Sequence, residues 1–386
     1  MASGSVGILG YDSFHFAVEN LERSDVFYRR TLDFREIARS GAALTQQSRQ
    51  ASRVYAAGDV RVCVSTPLGQ TCKASRYLRR HPDGVMSLAF RVADLDRALS
   101  VLEARGATVL ADPTEARDAS GGRYRSFEIA TPLGDVAFRF VERTDFAAFA
   151  PGFDAVPADD APSNAFGFRE IDHVTSNLLT MKPAVDWYRD VLGMEEFWRV
   201  SFHTRDVAGE RDDGSGLRSI VMWDPESGVK FATNEPLRPQ LRQSQISKFV
   251  WDNHGPGIQH MAFSVPAIVP TIDELRRRGV GFLPTPAPYY RAMPERLAQL
   301  GITNVREGLA DLQRLEILVD GADDKYMLQI FLREAASIYD DERAGPFFYE
   351  IIQREGDRGF GYGNFRALFE SIEREQRASV TTSPAG

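Results

Sequence analysis

The chain has 386 residues, 43% of them hydrophobic and 26% charged, with a formal net charge of −8. That is an ordinary globular composition, so disorder over most of the chain is excluded. The acidic balance speaks against a nucleic-acid surface, which is usually a basic stripe. No window approaches about 18 uninterrupted apolar residues, so no membrane span is expected.

At roughly 100–200 residues per domain, the length suggests about two to three domains. The N-terminus, MASGSVGILGYDSFHF, has no basic segment leading into an apolar one, so no secretory signal is expected. Two cysteines, Cys63 and Cys72, cannot build a disulfide framework or a cysteine zinc site, and a reducing cytoplasm fits them.

Tyr11–Phe34 predicts a short strand carrying His15, a polar turn, and a helix with the pair Phe27-Tyr28. Asp83–Leu110 predicts a strand, a turn, a helix and a further strand. In that helix Asp94 is the expected N-cap, Leu95, Ala98, Leu99 and Leu102 form the apolar stripe, and Gly106 is the stop. Gly134–Arg143, GDVAFRFVER, predicts a late strand, and the Pro/Ala/Asp-rich stretch Ala150–Ser163 a linker.

The order then repeats. Ile171–Phe197 predicts a strand carrying His173, then a helix with Trp187-Tyr188. Gly255–Leu283 predicts a strand carrying His260, a helix, a stop at Gly279 and another strand. Lys325–Glu334 is the expected counterpart of Gly134–Arg143. The chain is thus two similar halves, with strand–helix–strands twice in each. The expected domains are 1–150 and 166–386, joined by a linker at 151–165. The runs Arg29-Arg30, Arg79-Arg80 and Arg276–Arg278 lie beside acids and predict solvated helix faces. No GxGxxG follows a strand and no GxxxxGK[ST] occurs, so nucleotide folds with those fingerprints are unsupported.

Aligning the halves isolates the chemistry. His15 is expected to match His173, whereas His260 faces Ser87. Glu350 sits inside the apolar run GPFFYEIIQREG (Gly345–Gly356), which has no evident counterpart before the linker. Two histidines and one carboxylate form the facial triad of non-haem Fe(II) oxygenases, which leaves positions open for substrate and O₂. Taken singly, a strand histidine is as readily a satisfied core residue, and Glu350 could project outward from an edge strand. A carboxylate among Phe347, Phe348, Tyr349, Ile351 and Ile352 that pointed inward would need a partner or a metal.

The second half resembles the 4-hydroxyphenylpyruvate dioxygenase family of the vicinal-oxygen-chelate superfamily. The resemblance rests on IDHVTSN (171–177), SGLRSIV (215–221), NEP (234–236), SQI (244–246), GIQHMAF (257–263), LQIF (328–331), FFYEIIQR (347–354) and GFGYGNFRALFESIE (359–373), in family order. The first half resembles the family's non-catalytic N-terminal domain more weakly. The fold this implies is α+β: a two-domain vicinal-oxygen-chelate fold of four βαβββ modules. Each domain would be an open barrel-like sheet with flanking helices, and the second domain would end in a closing C-terminal helix.

The resemblance also implies roles. His173, His260 and Glu350 become the ligands of one Fe(II) per subunit. Ser219, Asn234, Gln245, Gln259, Gln329, Phe331, Phe348, Phe360, Asn364, Phe365 and Leu368 become the substrate pocket, with Gln259, Gln329 and Phe365 closest to the chemistry. Neutral amides suit a phenol or a keto acid, because they hydrogen-bond without adding fixed charge. The implied reaction takes 4-hydroxyphenylpyruvate and O₂ to homogentisate and CO₂ in tyrosine breakdown. It needs no separate 2-oxoglutarate, and the implied assembly is a homodimer or homotetramer.

The alternatives are 4-hydroxymandelate synthase, a related 2-oxo acid dioxygenase, and, more remotely, a non-enzymatic small-molecule binding module. The synthase tends to carry an aliphatic residue at Asn234 and Ile at Phe365. The chain departs from the family at Ser176, where Gly is usual, and at Tyr349, where an apolar residue is usual.

Overall fold

A computed structural model describes residues 4–157, 163–203, 216–238, 241, 244–285, 287–364 and 366–367. The strands repeat one unit four times: a strand, a helical crossover, then three strands. The first unit holds β1 (Ile8–Ala17), β2 (Arg35–Ser40), β3 (Gln50–Ala57) and β4 (Val60–Pro67). The second holds β5 (Gly84–Val92), β6 (Val109–Arg117), β7 (Arg123–Ala130) and β8 (Ala137–Thr144). Inside the stretch expected as linker, β9 (Phe153–Ala155) pairs with β2 at the sheet edge. The third unit holds β10 (Ile171–Asn177), β11 (Glu195–His203), β12 (Gly216–Trp223) and β13 (Lys230–Leu237). The fourth holds β14 (Gly257–Ser264), β15 (Leu318–Ala322), β16 (Lys325–Phe331) and β17 (Phe348–Glu355).

These strands make two curled half-barrel sheets. The orders are β6-β7-β8-β5-β1-β4-β3-β2-β9 and β15-β16-β17-β14-β10-β13-β12-β11, identical strand for strand once β9 is set aside. In each unit the first and last strands pair in parallel, which is why a helical crossover is needed between them. The expected α+β fold of four βαβββ modules is therefore present.

Local signals explain the helices. Asp94 caps the helix Leu95–Ala104 by accepting from the Arg97 N–H at 3.0 Å. Gly106 and Gly279 follow their helices with φ of +87° and +85°, a conformation that suits glycine. Arg277 and Arg278 pair with Glu274, and Arg276 with Glu316, as expected of solvated faces. Cys63 and Cys72 are buried free thiols.

The registers correct two parts of the alignment. Against β5, Ser13 pairs Ala89 and His15 pairs Ser87; against β14, His173 pairs Ala262 and Thr175 pairs His260. Ser13, not His15, therefore stands where His173 does, and His15 matches Thr175. Likewise Ala89 pairs Arg139 on β8 as Ala262 pairs Glu350 on β17. Gly134–Arg143 is thus the counterpart of the Glu350 strand and not of Lys325–Glu334. The two sequences share only their apolar pattern, and β-strands with one apolar pattern are interchangeable until pairing fixes them. The strand expected after Gly279 is also absent from that place. Phe282 makes only an isolated bridge to Leu332, and the helices Ala287–Gln299 and Leu309–Leu315 precede β15.

One apolar core runs through both halves. Phe231 on β13 is fully buried at its centre. Its ring stacks on Tyr188 (5.0 Å, 6°) and Phe138 (5.5 Å, 19°) and meets Phe90 and Tyr11 edge-on. Tyr28 reaches across to Tyr349, hydroxyl to hydroxyl at 2.6 Å. Each half thus covers apolar surface of the other. Phe231→Ala should cost about 3–5 kcal/mol. Denaturant unfolding followed by fluorescence should show a single transition moved to lower denaturant, because both halves lose the same anchor.

Candidate metal centre

Three adjacent central strands carry the three expected ligands: His173 on β10, His260 on β14 and Glu350 on β17. Across the sheet, His173 pairs Ala262 and Ala262 pairs Glu350. The small side chain of Ala262 lies between them, and His260 lies two residues before it on β14. Their ligand atoms all lie within 4.8 Å of one another. His173 Nε2 is 3.3 Å and His260 Nε2 3.5 Å from the same oxygen, Glu350 Oε2. All three residues are at most 3% exposed.

Both imidazoles are aimed by β-bulges. The pairing of β10 with β14 slips at Asp172 and again at Gln259, the residues directly before His173 and His260. A bulge turns an adjacent side chain onto the same face. Asp172 Oδ1 thereby meets His173 Nδ1 at 2.9 Å, and Gln259 Oε1 meets His260 Nδ1 at 3.0 Å. With each Nδ1 hydrogen-bonded outward, each Nε2 faces Glu350. Such outer partners fix ring tautomer and orientation at metal sites.

Asp172 is itself gripped by Arg354, through Nε at 2.5 Å and Nη2 at 2.7 Å. Burial raises the Asp172 carboxyl, but Arg354 and then His173 outweigh it and hold the group well below the usual carboxylate range. Burial lowers the His173 imidazole, yet the carboxylates of Glu350 and Asp172 carry it above its ordinary value. Burial, helped by His173, holds His260 well below its ordinary value and so neutral. A cation among these ligand atoms would find two nitrogens and one carboxylate oxygen ready to bind it.

The second carboxylate oxygen is occupied. Gln329 Nε2 donates to Glu350 Oε1 at 2.7 Å. Gln329 Oε1 lies 3.0 Å from the side-chain amide of Asn364, whose other end meets the Tyr289 hydroxyl at 2.8 Å. Asp320 accepts the backbone N–H groups of Gly363 and Asn364, tying the C-terminal segment to β15. Residues 362–364 and 366–367 are helical; Phe365 and Leu368 lie outside the described residues, as does most of the expected closing helix.

Aromatic rings wall the site. Phe348 stacks on His260 (4.9 Å, 22°) and Phe331 meets it edge-on, while Phe360 meets His173 edge-on at 4.8 Å. Gln259 Nε2 donates to Gln245 Oε1 at 3.2 Å. Ser219 and Asn234 face one another across β12 and β13, and Asn234 donates to Asn177 Oδ1 at 2.9 Å. Ser219 Oγ, Asn234 Oδ1, Thr175 Oγ1 and Asn177 Nδ2 are buried and have no hydrogen-bond partner among the described residues. A buried polar atom left unpaired costs about 1–3 kcal/mol. Four of them beside a ligand cluster suit a site that completes its hydrogen bonds with a small molecule.

Asp172, Arg354 and Asn177 are the site residues the sequence reading missed, and it singles out Thr175 only as a neighbour of the Ser176 departure. Period-two alternation from His173 would have put Thr175 and Asn177 on its face. The two departures from the family pattern lie elsewhere. Tyr349 packs on Phe263 and bonds Tyr28, and Ser176 alternates away from the His173 face and donates to the Ala232 carbonyl.

Both halves match the glyoxalase/bleomycin resistance protein/dioxygenase superfamily, over residues 12–127 and 170–294. The chain is 36% identical to a 4-hydroxyphenylpyruvate dioxygenase of Dictyostelium discoideum, covering 95% of this chain and 98% of the relative. It is 34% identical to one of Yarrowia lipolytica, covering 95% and 92%. A solved mutant of 4-hydroxymandelate synthase from Streptomyces coelicolor is similar with a TM-score of 0.80 and 28% identity, covering 96% of this chain and 99% of that one.

Asp172→Asn should weaken divalent-metal binding by about 10–100-fold, because the ring loses its anionic partner. Equilibrium dialysis against Co(II) measures this directly, with Glu350→Ala as the variant that loses the ion altogether.

Proposed function

Because the chain belongs to the 4-hydroxyphenylpyruvate dioxygenase family, we propose that it converts 4-hydroxyphenylpyruvate and O₂ to homogentisate and CO₂. The observation that carries this reading is the convergence of two imidazole Nε2 atoms and one carboxylate oxygen on a buried face, beside partnerless polar groups. This donor set suits a non-haem Fe(II) ion with coordination positions left open. When bound, one Fe(II) per subunit supplies the redox chemistry that activates O₂ against a chelated 2-oxo acid.

The protein's own part is positioning. His173, His260 and Glu350 hold the ion, Asp172 and Gln259 fix the two rings, and Gln329 fixes the carboxylate. The substrate carries its own 2-oxo acid, so no separate 2-oxoglutarate is required. Ser219, Asn234, Gln245 and Asn177 offer neutral donors and acceptors to a phenol or keto acid. Phe331, Phe348 and Phe360 exclude water from the same space. Phe365 and Leu368 enter this reading through the family motif alone.

The similar synthase structure makes hydroxymandelate the second product to consider. Asn234 and Phe365 favour homogentisate, since the synthase tends to carry aliphatic residues there. The intact ligand set argues against a metal-free binding module. In this reading the protein is cytoplasmic, serves tyrosine breakdown, and forms a dimer or tetramer with its first half as the contact surface. Among the described residues, no helix is long and apolar enough to cross a membrane.

After anaerobic loading with Fe(II), the protein should yield homogentisate from 4-hydroxyphenylpyruvate and O₂, identified by chromatography. Phe365→Ile should divert part of the product to hydroxymandelate. Hydroxymandelate from the unmodified protein would overturn the pocket assignment, and no turnover with iron bound would overturn the substrate.

A further inference from the structure

The first half keeps the frame of the metal centre but reverses its charge. Asp12 is gripped by Arg143 through Nε and Nη2, both at 3.0 Å, at the register positions of Asp172 and Arg354. The same two bulges recur, at Asp12 and at Met86. Inside this frame every ligand is replaced: Ser13 stands for His173, Ser87 for His260 and Arg139 for Glu350. A fixed cation has taken the place of the carboxylate that would hold one.

The space over this face is open. A cavity of about 340 Å³ lies in the curl of the first sheet, lined by Arg139, Lys73, Glu128 and His15 among others. Small-molecule sites run to roughly 300–1,000 Å³. Glu128 accepts from Lys73 and, at 3.3 Å, from Arg139. That is the one side-chain hydrogen bond the Arg139 guanidinium makes among the described residues. Two cations and one carboxylate leave a positive surplus inside the cavity. Asp112 also lines it, but as an exposed residue where water screens it. Burial, and then the cations Arg139, Lys73 and Arg143, hold His15 well below its ordinary value and hence neutral. Met86, Tyr124, Phe127 and Phe153 supply an apolar wall.

We propose that this cavity is a second ligand site, one that takes a small organic monocarboxylate. Its carboxylate lies on Arg139 and Lys73, and its apolar body lies against Tyr124, Phe127 and Phe153. A guanidinium fork matches a carboxylate in plane and charge, and a half-buried surplus cation is best met by a single anionic group. The site is separate from the metal centre and needs no metal.

The test uses the full-length, iron-loaded protein under anaerobic conditions, with 4-bromophenylacetate as probe. Calorimetric titration should show a binding event that Arg139→Met weakens by about tenfold or more, the worth of a charge-assisted hydrogen bond. Glu350→Ala should leave that event in place, and Arg139→Lys should retain part of it. Should Arg139→Met fail to fold, a crystal of the unmodified protein soaked in the probe decides the matter. Anomalous bromine signal in the first-half cavity supports the site. Its absence at saturating probe, or equal affinity in folded Arg139→Met, overturns it.

Discussion

A carboxylate in the middle of a β-sheet is tolerable only if donors or a positive charge meet it, and the second half is arranged around that requirement at Glu350. The group is 1% exposed and lies on a strand whose neighbours are apolar. Burying it unpaired would be expensive. One oxygen is met by Gln329, and the other faces two imidazoles whose opposite nitrogens are already committed. The bulges at Asp172 and Gln259, the Arg354 clamp and the stacked Phe348 all act to keep that second oxygen and the two Nε2 atoms pointing at one place. The chemistry follows from a sheet that has been bent to aim three side chains.

Duplication shows which parts of this device are frame and which are function. The strand order, the paired bulges and the Asp–Arg clamp occur in both halves. The cluster of His173, His260 and Glu350 occurs in one. An Asp–Arg pair beside the bulge is therefore a feature of the fold, available to orient whatever residue follows the aspartate. In the second half that residue is His173. In the first it is Ser13, whose hydroxyl bonds Asp12 and His15. With Arg139 across the sheet, the first half is built to hold negative charge where the second is built to hold positive.

Much of this was legible in the sequence, for physical reasons that can be named. The asymmetry of His260 against Ser87 and the lone acid at Glu350 stand out because apolar strands rarely tolerate such residues without a use. The Asp94 cap and the Gly106 and Gly279 stops are local, and local signals survive reading one chain alone. What was not legible depends on pairing. A bulge shifts register without marking the sequence, so nothing singles out Asp172 and His15 reads as the partner of His173. Two strands with one apolar pattern, Gly134–Arg143 and Lys325–Glu334, could be matched by eye although the sheet sets the former against β17. The helices between β14 and β15 displaced an expected strand because Phe282 has only Leu332 to pair with. Tyr349, a departure from the family pattern, ties the halves together through Tyr28.

Among the described residues, one buried face of the second half gathers two imidazoles and a carboxylate that could hold a metal ion, and the matching face of the first half carries none of them. Anaerobic titration with Fe(II), with bound iron counted per chain, tests that arrangement most directly. Binding should saturate at about one ion per chain in the unmodified protein, as three convergent donors at a single face require, and that ion should be lost in Glu350→Ala. Two ions per chain, or one ion retained in folded Glu350→Ala, would contradict it.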